Sequence, residues 1–184
     1  MLRERAFTPL PSVAVIPNRR YAGYMATAAG VLCLDFIHLT GDPESFLESG
    51  PLDAATHREI RRFRTSLQRL LDAEARGTGA RESDLAALNR VLSRAGGNRG
   101  LRPTVRGYGW GWLHEEGEDL SRLLWPVAWS AARLLDSPDL ARLKSCDGCG
   151  RLFLDASRNR SRRWCDKGDC GNRVNVARFR SRHR

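Results

Sequence analysis

The sequence predicts an α+β chain, mainly helical in its N-terminal part, that ends in a small cysteine-organised module. Three observations carry this. Apolar residues recur at helical spacing in three long segments. Residues 101–114 alternate instead, as a half-buried strand pair does. And four of the five cysteines, Cys146, Cys149, Cys165 and Cys170, fall within the last 41 residues.

Each element follows in order. Residues 1–18 are a proline-bearing stretch, read as a loose N-terminal arm. Residues 31–39, VLCLDFIHL, are apolar enough for a buried strand. A first helix is expected from Asp53 to Ala75, with Ile60, Phe63, Leu67, Leu70 and Leu71 at helical spacing. Thr56-His57-Arg58-Glu59 has the form of a capping box. A second helix, 83–95, opens at Ser83 and presents Leu85, Leu88, Val91 and Leu92. Residues 101–114 read as a hairpin turning near Gly107, with Tyr108, Trp110, Trp112 and His114 on one face. A third helix, 118–136, carries Leu120, Leu123, Leu124, Val127, Ala131, Leu134 and Leu135. Pro126 kinks it or marks its true first turn. Ser137-Pro138 begins a short helix, with proline at the favoured first position.

Charge is unevenly spread. The 184 residues carry 31 Lys+Arg against 21 Asp+Glu, a net of +10. From Lys144 onward there are 12 basic and 4 acidic side chains, so nearly all the excess lies there. Ten of those bases are arginine, whose planar fork suits phosphates and guanine edges. SRNRSRRWC, residues 157–165, holds the densest cluster, with no carboxylate inside it. Such a block meets a polyanion, nucleic acid before an anionic membrane. No run of 18 apolar residues offers a membrane span. Residues 22–34 imitate a signal peptide only loosely, which makes a cytoplasmic location the expectation.

The cysteine spacing is the most specific signal. Cys33 stands alone in an apolar run and reads as a small buried side chain. The other four form C-x2-C, a gap of 15 residues, then C-x4-C. Each close pair can turn two sulfurs toward one point about 2.3 Å away, and two pairs close a tetrahedron. Zn²⁺ fits best, because it accepts thiolates and prefers four ligands. Redox disulfides and an iron–sulfur cluster are the alternatives. Four protein ligands leave no place for an activated water, so one structural zinc is expected. Phe153 and Trp164 are placed to pack on it. A basic helix from about Asn172 is expected to dock through Val176 and Phe179.

The segment CDGCGRLFLDASRNRSRRWCDKGDCGNRVNVARFRSR resembles the CGNR zinc finger, whose naming motif stands as Cys170-Gly171-Asn172-Arg173. Upstream, VLCLDFIHLTG is similar to the opening of the ABATE, or stress-induced transcription regulator, domain. His38 stands where that family's phrase carries Asn. The resemblance implies a regulator that binds DNA. It divides the chain into the arm 1–18, an ABATE-like regulatory or ligand-sensing domain 19–143, and a treble-clef-like finger 144–184.

Several features have plainer readings. Trp110 and Trp112, or Trp125 and Trp129, are most simply core. Arg58, Arg61, Arg62 and Arg64 are most simply a solvated face. His38 is most simply a hydrogen-bonded core histidine, and Asp35 is placed to pair with an arginine. Asp35, His38, Trp110 and Trp112 are the only hint of an effector pocket. No HExxH, P-loop, GxSxG or GxGxxG occurs, and no deaminase signature, so an enzyme is not expected.

The expected partner is double-stranded DNA. Arg158, Arg160, Arg162, Arg163, Arg173, Arg178 and Arg180 would contact phosphates, and Asn172 or Asn175 would reach base edges. RNA binding through Trp164 or Phe179 is one rival. Docking on RNA polymerase or a sigma factor is another. The N-terminal domain would sense a small-molecule effector, form a homodimer or contact the transcription machinery.

Overall fold

The computed structural model describes residues 31–38, 53–105, 107–112 and 124–182. The expected arm, residues 1–18, lies outside them. In chain order the elements are α1 (Leu32–His38), α2 (Ala54–Arg76), α3 (Glu82–Gly96), β1 (Arg99–Thr104) and β2 (Gly107–Trp112). These are followed by α4 (Leu124–Leu135), a 3₁₀ turn (Pro138–Arg142), β3 (Leu143–Ser145), β4 (Leu152–Leu154) and α5 (Asn172–Arg182). The fold is mainly helical with two antiparallel hairpins, β1–β2 and β3–β4.

The first apolar run is a helix, which overturns the expected strand. Cys33, Leu34, Phe36 and Ile37 are all buried on α1. Their one-, three- and four-residue spacings suit a helix, and a run this short does not separate the two periods. Arg64 completes the helix end: its Nη2 donates to the Ile37 carbonyl at 3.1 Å. Cys33 is fully buried, and its pKa is pushed up to about 11, chiefly by that burial.

α2 is the spine of the core. Ile60, Phe63, Leu67, Leu70 and Leu71 line its buried face, as their spacing predicts. Its start differs from the expected capping box. Asp53 is the cap, accepting from the amides of Ala55 at 2.8 Å and Thr56 at 3.0 Å. Gly77 closes the helix in the left-handed conformation, φ +65°.

α3 begins after Arg81, which supplies no side-chain cap, instead of at Ser83. Its buried face is Ala87, Leu88, Val91 and Ala95, while Leu85 is exposed. Asp84 is buried and receives the Arg69 guanidinium from α2, at 2.5 Å from Nη2. This charged pair fixes α2 against α3.

The β1–β2 hairpin pairs Leu101 with Trp110 and Thr104 with Gly107, which puts its turn just before Gly107. Its aromatic face is not core. Tyr108 is 78% exposed and Trp110 67%. A two-stranded ribbon has two faces and no second sheet to cover them, so alternation alone does not say that either is buried. Trp125 on α4 is buried as expected, whereas Trp129 is partly exposed under the Arg99 guanidinium, 4.2 Å from its ring. Pro126 lies within α4, and the expected start of that helix at 118, with Leu120 and Leu123, lies outside the described residues.

β3 and β4 bridge the two parts of the chain. Leu143 pairs with Leu154 and Ser145 with Leu152. Leu143 and Leu152 are buried in the same core as α1, α2, α3 and α4. The other core is small: Cys146, Phe153 and Cys170, with Trp164 and Cys165 packed on it.

Candidate metal centre and its basic loop

Four cysteines meet at one point. The sulfurs of Cys146, Cys149, Cys165 and Cys170 lie within 4.8 Å of one another. Cys149 Sγ is 3.6 Å from Cys165 Sγ, and Cys165 Sγ is 3.8 Å from Cys170 Sγ. A tetrahedron with metal–sulfur bonds of about 2.3 Å has edges of about 3.8 Å. The donor set therefore fits one structural Zn²⁺, held by thiolates alone.

The local backbone explains how the sulfurs converge. After Cys146 the chain turns back, and the Gly150 amide donates to the Cys146 carbonyl at 2.8 Å. Gly150 has φ +73°, which glycine alone adopts without strain. Gly148 is pressed close to the second pair: a Cβ there would sit 3.2 Å from Cys170 Cβ. On the other side, Asp166 accepts from the Asp169 amide at 2.7 Å, winding the single π-turn Lys167–Gly171 that delivers Cys170. Gly171 packs face-on against Trp164, whose Cε3 would lie 3.3 Å from an added Cβ.

The electrostatics prepare the site for a cation. Burial opposes ionisation of Cys146, but the amides of Cys165, Gly148 and Cys149 outweigh it and draw its pKa down to about 6. Cys165 is pushed up to about 12 by burial and by its three neighbouring sulfurs. Cys149 is likewise raised, burial first. The Cys146 thiolate forms readily, while Cys149 and Cys165 hold their protons until a metal displaces them on binding. Arg173 Nη2 adds a donor to Cys170 Sγ at 3.3 Å.

The loop between the cysteine pairs is organised by a residue that sequence reasoning missed. Asp155 is completely buried. Its Oδ1 accepts from the Ser157 amide at 3.0 Å and the Ser157 hydroxyl at 2.6 Å. Its Oδ2 accepts from Lys144 Nζ at 2.8 Å and the Arg162 amide at 2.8 Å. Burial alone would raise the carboxyl pKa; Lys144 and the Ser157 and Arg162 donors hold it well below the usual carboxylate range. Lys144 Nζ also donates to the Arg160 carbonyl and, at 3.3 Å, to that of Arg162. The Asp-x-Ser triplet is a known turn former and was legible; its burial was not.

The predicted DNA-contacting residues separate into two groups. Arg162 donates to the Cys165 carbonyl at 2.6 Å and lies 5.5 Å from the Phe153 ring. Arg163 pairs with Asp147 at 2.7 Å and covers Trp164. Arg173 pairs with Asp169 at 3.4 Å. Arg158, Arg160, Asn172, Asn175 and Arg180 are exposed. The side chains of Arg178 and Trp112 lie outside the described set. Val176 and Phe179 are 41% and 62% exposed, so they are not the buried side of α5. Val174 faces inward instead, 3.4 Å from the position of a Cβ on Gly148.

The suggested effector residues lie on two elements, Asp35 and His38 on α1 and Trp110 and Trp112 on β2. His38 Nε2 meets the Leu152 carbonyl at 2.8 Å, so it faces the cysteine module. Trp110 lies on the outer hairpin, 5.8 Å from the Arg99 guanidinium. His38 and Trp110 stand on separate elements, α1 and β2, whereas Asp35 lies on α1 with His38 and acts on its imidazole electrostatically.

Two family models match the chain. The CGNR zinc finger model covers residues 142–183, which contain all four clustered cysteines. The ABATE model, Putative stress-induced transcription regulator, covers residues 33–138, more than half of the chain. The chain belongs to the ABATE family. It carries a CGNR zinc finger after its ABATE region, in that order. No curated protein matches closely enough to add to this. Among the described residues of this ABATE protein, no helix is long and apolar enough to cross a membrane.

Proposed function

We propose that the protein is a transcription regulator whose zinc finger holds an arginine-rich surface on double-stranded DNA. One observation carries this reading. The zinc-tied loop turns Arg158 and Arg160 to solvent, while the module's acidic side chains are engaged elsewhere. Uncompensated guanidinium groups on a fixed loop suit phosphate oxygens. Binding, not catalysis, is the role, because four thiolates complete the metal's shell and leave no position for substrate or water. The ABATE domain would sense a small-molecule effector, mediate a homodimer or contact RNA polymerase or a sigma factor. A cytoplasmic location follows from that work.

The test is a random-library DNA selection with the purified zinc form, followed by affinity against salt. If about four to six phosphates are neutralised, log K falls with log salt at a slope of roughly −4 to −5. A slope near zero overturns the reading. A preference for structured RNA over duplex DNA moves it to RNA binding. A nuclease-resistant pull-down of an acidic partner, with no DNA shift at low salt, makes the finger a protein-docking module.

A further inference from the structure

The finger contains four acidic residues, and each is already committed. Asp147 takes Arg163, Asp169 takes Arg173, Asp155 takes Lys144, and Asp166 caps the π-turn. The basic residues therefore fall into two classes. Lys144, Arg162, Arg163 and Arg173 are partnered within the finger and help to build it. Arg158 and Arg160 are exposed and, among the described residues, have no acidic or carbonyl partner; Arg151, Lys167 and Arg180 are likewise exposed and unpartnered, but stand apart in sequence, whereas Arg158 and Arg160 share one bend. They flank exposed Asn159 in one short bend, where Arg160 adopts φ +49° and the Arg160 amide donates to the Ser157 carbonyl at 3.3 Å.

That bend is not free to spread, although two cations sit on it. Lys144 Nζ reaches from β3 to the carbonyls of Arg160 and Arg162, and Asp155 holds Lys144, Ser157 and the Arg162 amide. Ser157 Oγ accepts in turn from the Ser161 amide at 3.2 Å. Arg142 Nη1 ties the loop's other flank through the carbonyls of Asp155 at 3.1 Å and Ser157 at 3.3 Å. Both ends of the bend thus hang on one ion pair, whose carboxylate is fully buried and whose ammonium is partly exposed.

We infer that the Arg158-Asn159-Arg160 tip is the part of the finger that engages duplex DNA, and that buried Asp155 with Lys144 is its positioning device. The inference rests on the DNA-binding reading above. Arg162, Arg163 and Arg173 then act through the fold and not through the phosphates. A preorganised tip loses little conformational freedom on binding, which is what a short contact needs to be tight. Loss of the buried pair would leave the zinc in place and the guanidinium groups present, but aimed loosely.

The experiment uses the full chain loaded with one zinc and measures affinity for a fixed duplex across salt. Arg158→Ala with Arg160→Gly removes both tip charges, and glycine suits the positive φ at 160, so the bend survives. Each lost phosphate contact flattens the salt slope by about 1, so the double variant should be flatter by roughly 2 with its zinc content unchanged. Arg163→Ala should leave the slope within about 0.5 of wild type and weaken zinc retention instead. Asp155→Asn should keep zinc but lose about tenfold or more in affinity. If it does not fold, Ser157→Ala removes one of the same tethers more gently and should move affinity in the same direction, alongside faster amide exchange at Ser161. The inference is overturned if the tip variant keeps the wild-type slope, or if Arg163→Ala flattens it as much while retaining zinc. Unchanged affinity in a folded Asp155→Asn protein removes the positioning role. If wild type itself shows no salt-dependent DNA binding, the parent reading fails, and the tip assignment fails with it for a separate, visible reason.

Discussion

The His38 imidazole, at the end of α1, meets the Leu152 carbonyl of β4 at 2.8 Å, across 114 residues of chain. It joins the ABATE region to the zinc finger one strand away from the first cysteine pair. His38→Ala leaves that carbonyl without its donor and should cost about 1–3 kcal/mol in denaturant unfolding. His38→Asn retains a donor and should recover much of the loss.

The same residue sets a pH dependence. Burial lowers the His38 pKa below its ordinary 6.5, with Arg151 and Arg64 adding to it; the Leu152 carbonyl and Asp35 pull the other way. The unfolded chain therefore takes up a proton at a higher pH than the folded chain does. The stability linked to this group is complete above about pH 6.5 and is lost as pH falls through the folded value. The wild-type minus His38→Asn stability difference should be flat above that pH and decline below it. A flat difference down to pH 5 would contradict the assignment.

Zinc removal should unfold the small core first. Cys146, Phe153 and Cys170 with Trp164 form a core too small to stand alone, and structural zinc contributes on the order of 10 kcal/mol in finger-sized modules. Chelation should abolish the near-ultraviolet signal of Trp164 and lower the melting temperature of the whole chain, because Leu143 and Leu152 lie in the large core. Two well-separated transitions with an unchanged upper one would contradict that coupling.

Gly171→Ala tests the packing around the π-turn. Its methyl group would fall 3.3 Å from Trp164 Cε3, so the indole or the turn must move. A loss of about 1–3 kcal/mol is expected, with weaker zinc retention by competition with a chromophoric chelator.

Leu67→Ala and Trp110→Ala make a contrasting pair. Leu67 is 1% exposed in the large core, and its truncation should cost about 2–5 kcal/mol. Trp110, though larger, is 67% exposed and should cost below about 1 kcal/mol by the same unfolding assay.

The zinc ligands were legible because the chemistry needs four sulfurs at a point, and sequence spacing alone nearly guarantees it. The inward face of α2 was legible because 23 residues give the helical period room to declare itself. α1 was not, since in seven residues a helix and a strand leave much the same apolar pattern. Trp110 failed for another reason: alternation reports that a strand has two faces, never which one another element covers. Asp155 escaped notice because its role is decided by Lys144, eleven residues away and on the neighbouring strand. The docking of α5 through Val176 and Phe179 failed in the same way, as only the approach of Gly148 to Val174 settles which side turns inward.

The seating of Leu143 and Leu152 in the large core makes this finger a poor graft. A fragment cut just before Cys146 would keep the four clustered sulfurs and all ten of the finger's arginines, yet lose Lys144 and bare Leu152 to water. A fragment cut before Pro138 would keep Lys144 but bare both leucines. Transplanted to another protein, either piece would arrive sticky and loosely aimed. Its bearing on a target is owned by the whole chain, so a finger exchanged with another protein should carry the hairpin's helical bed along with it.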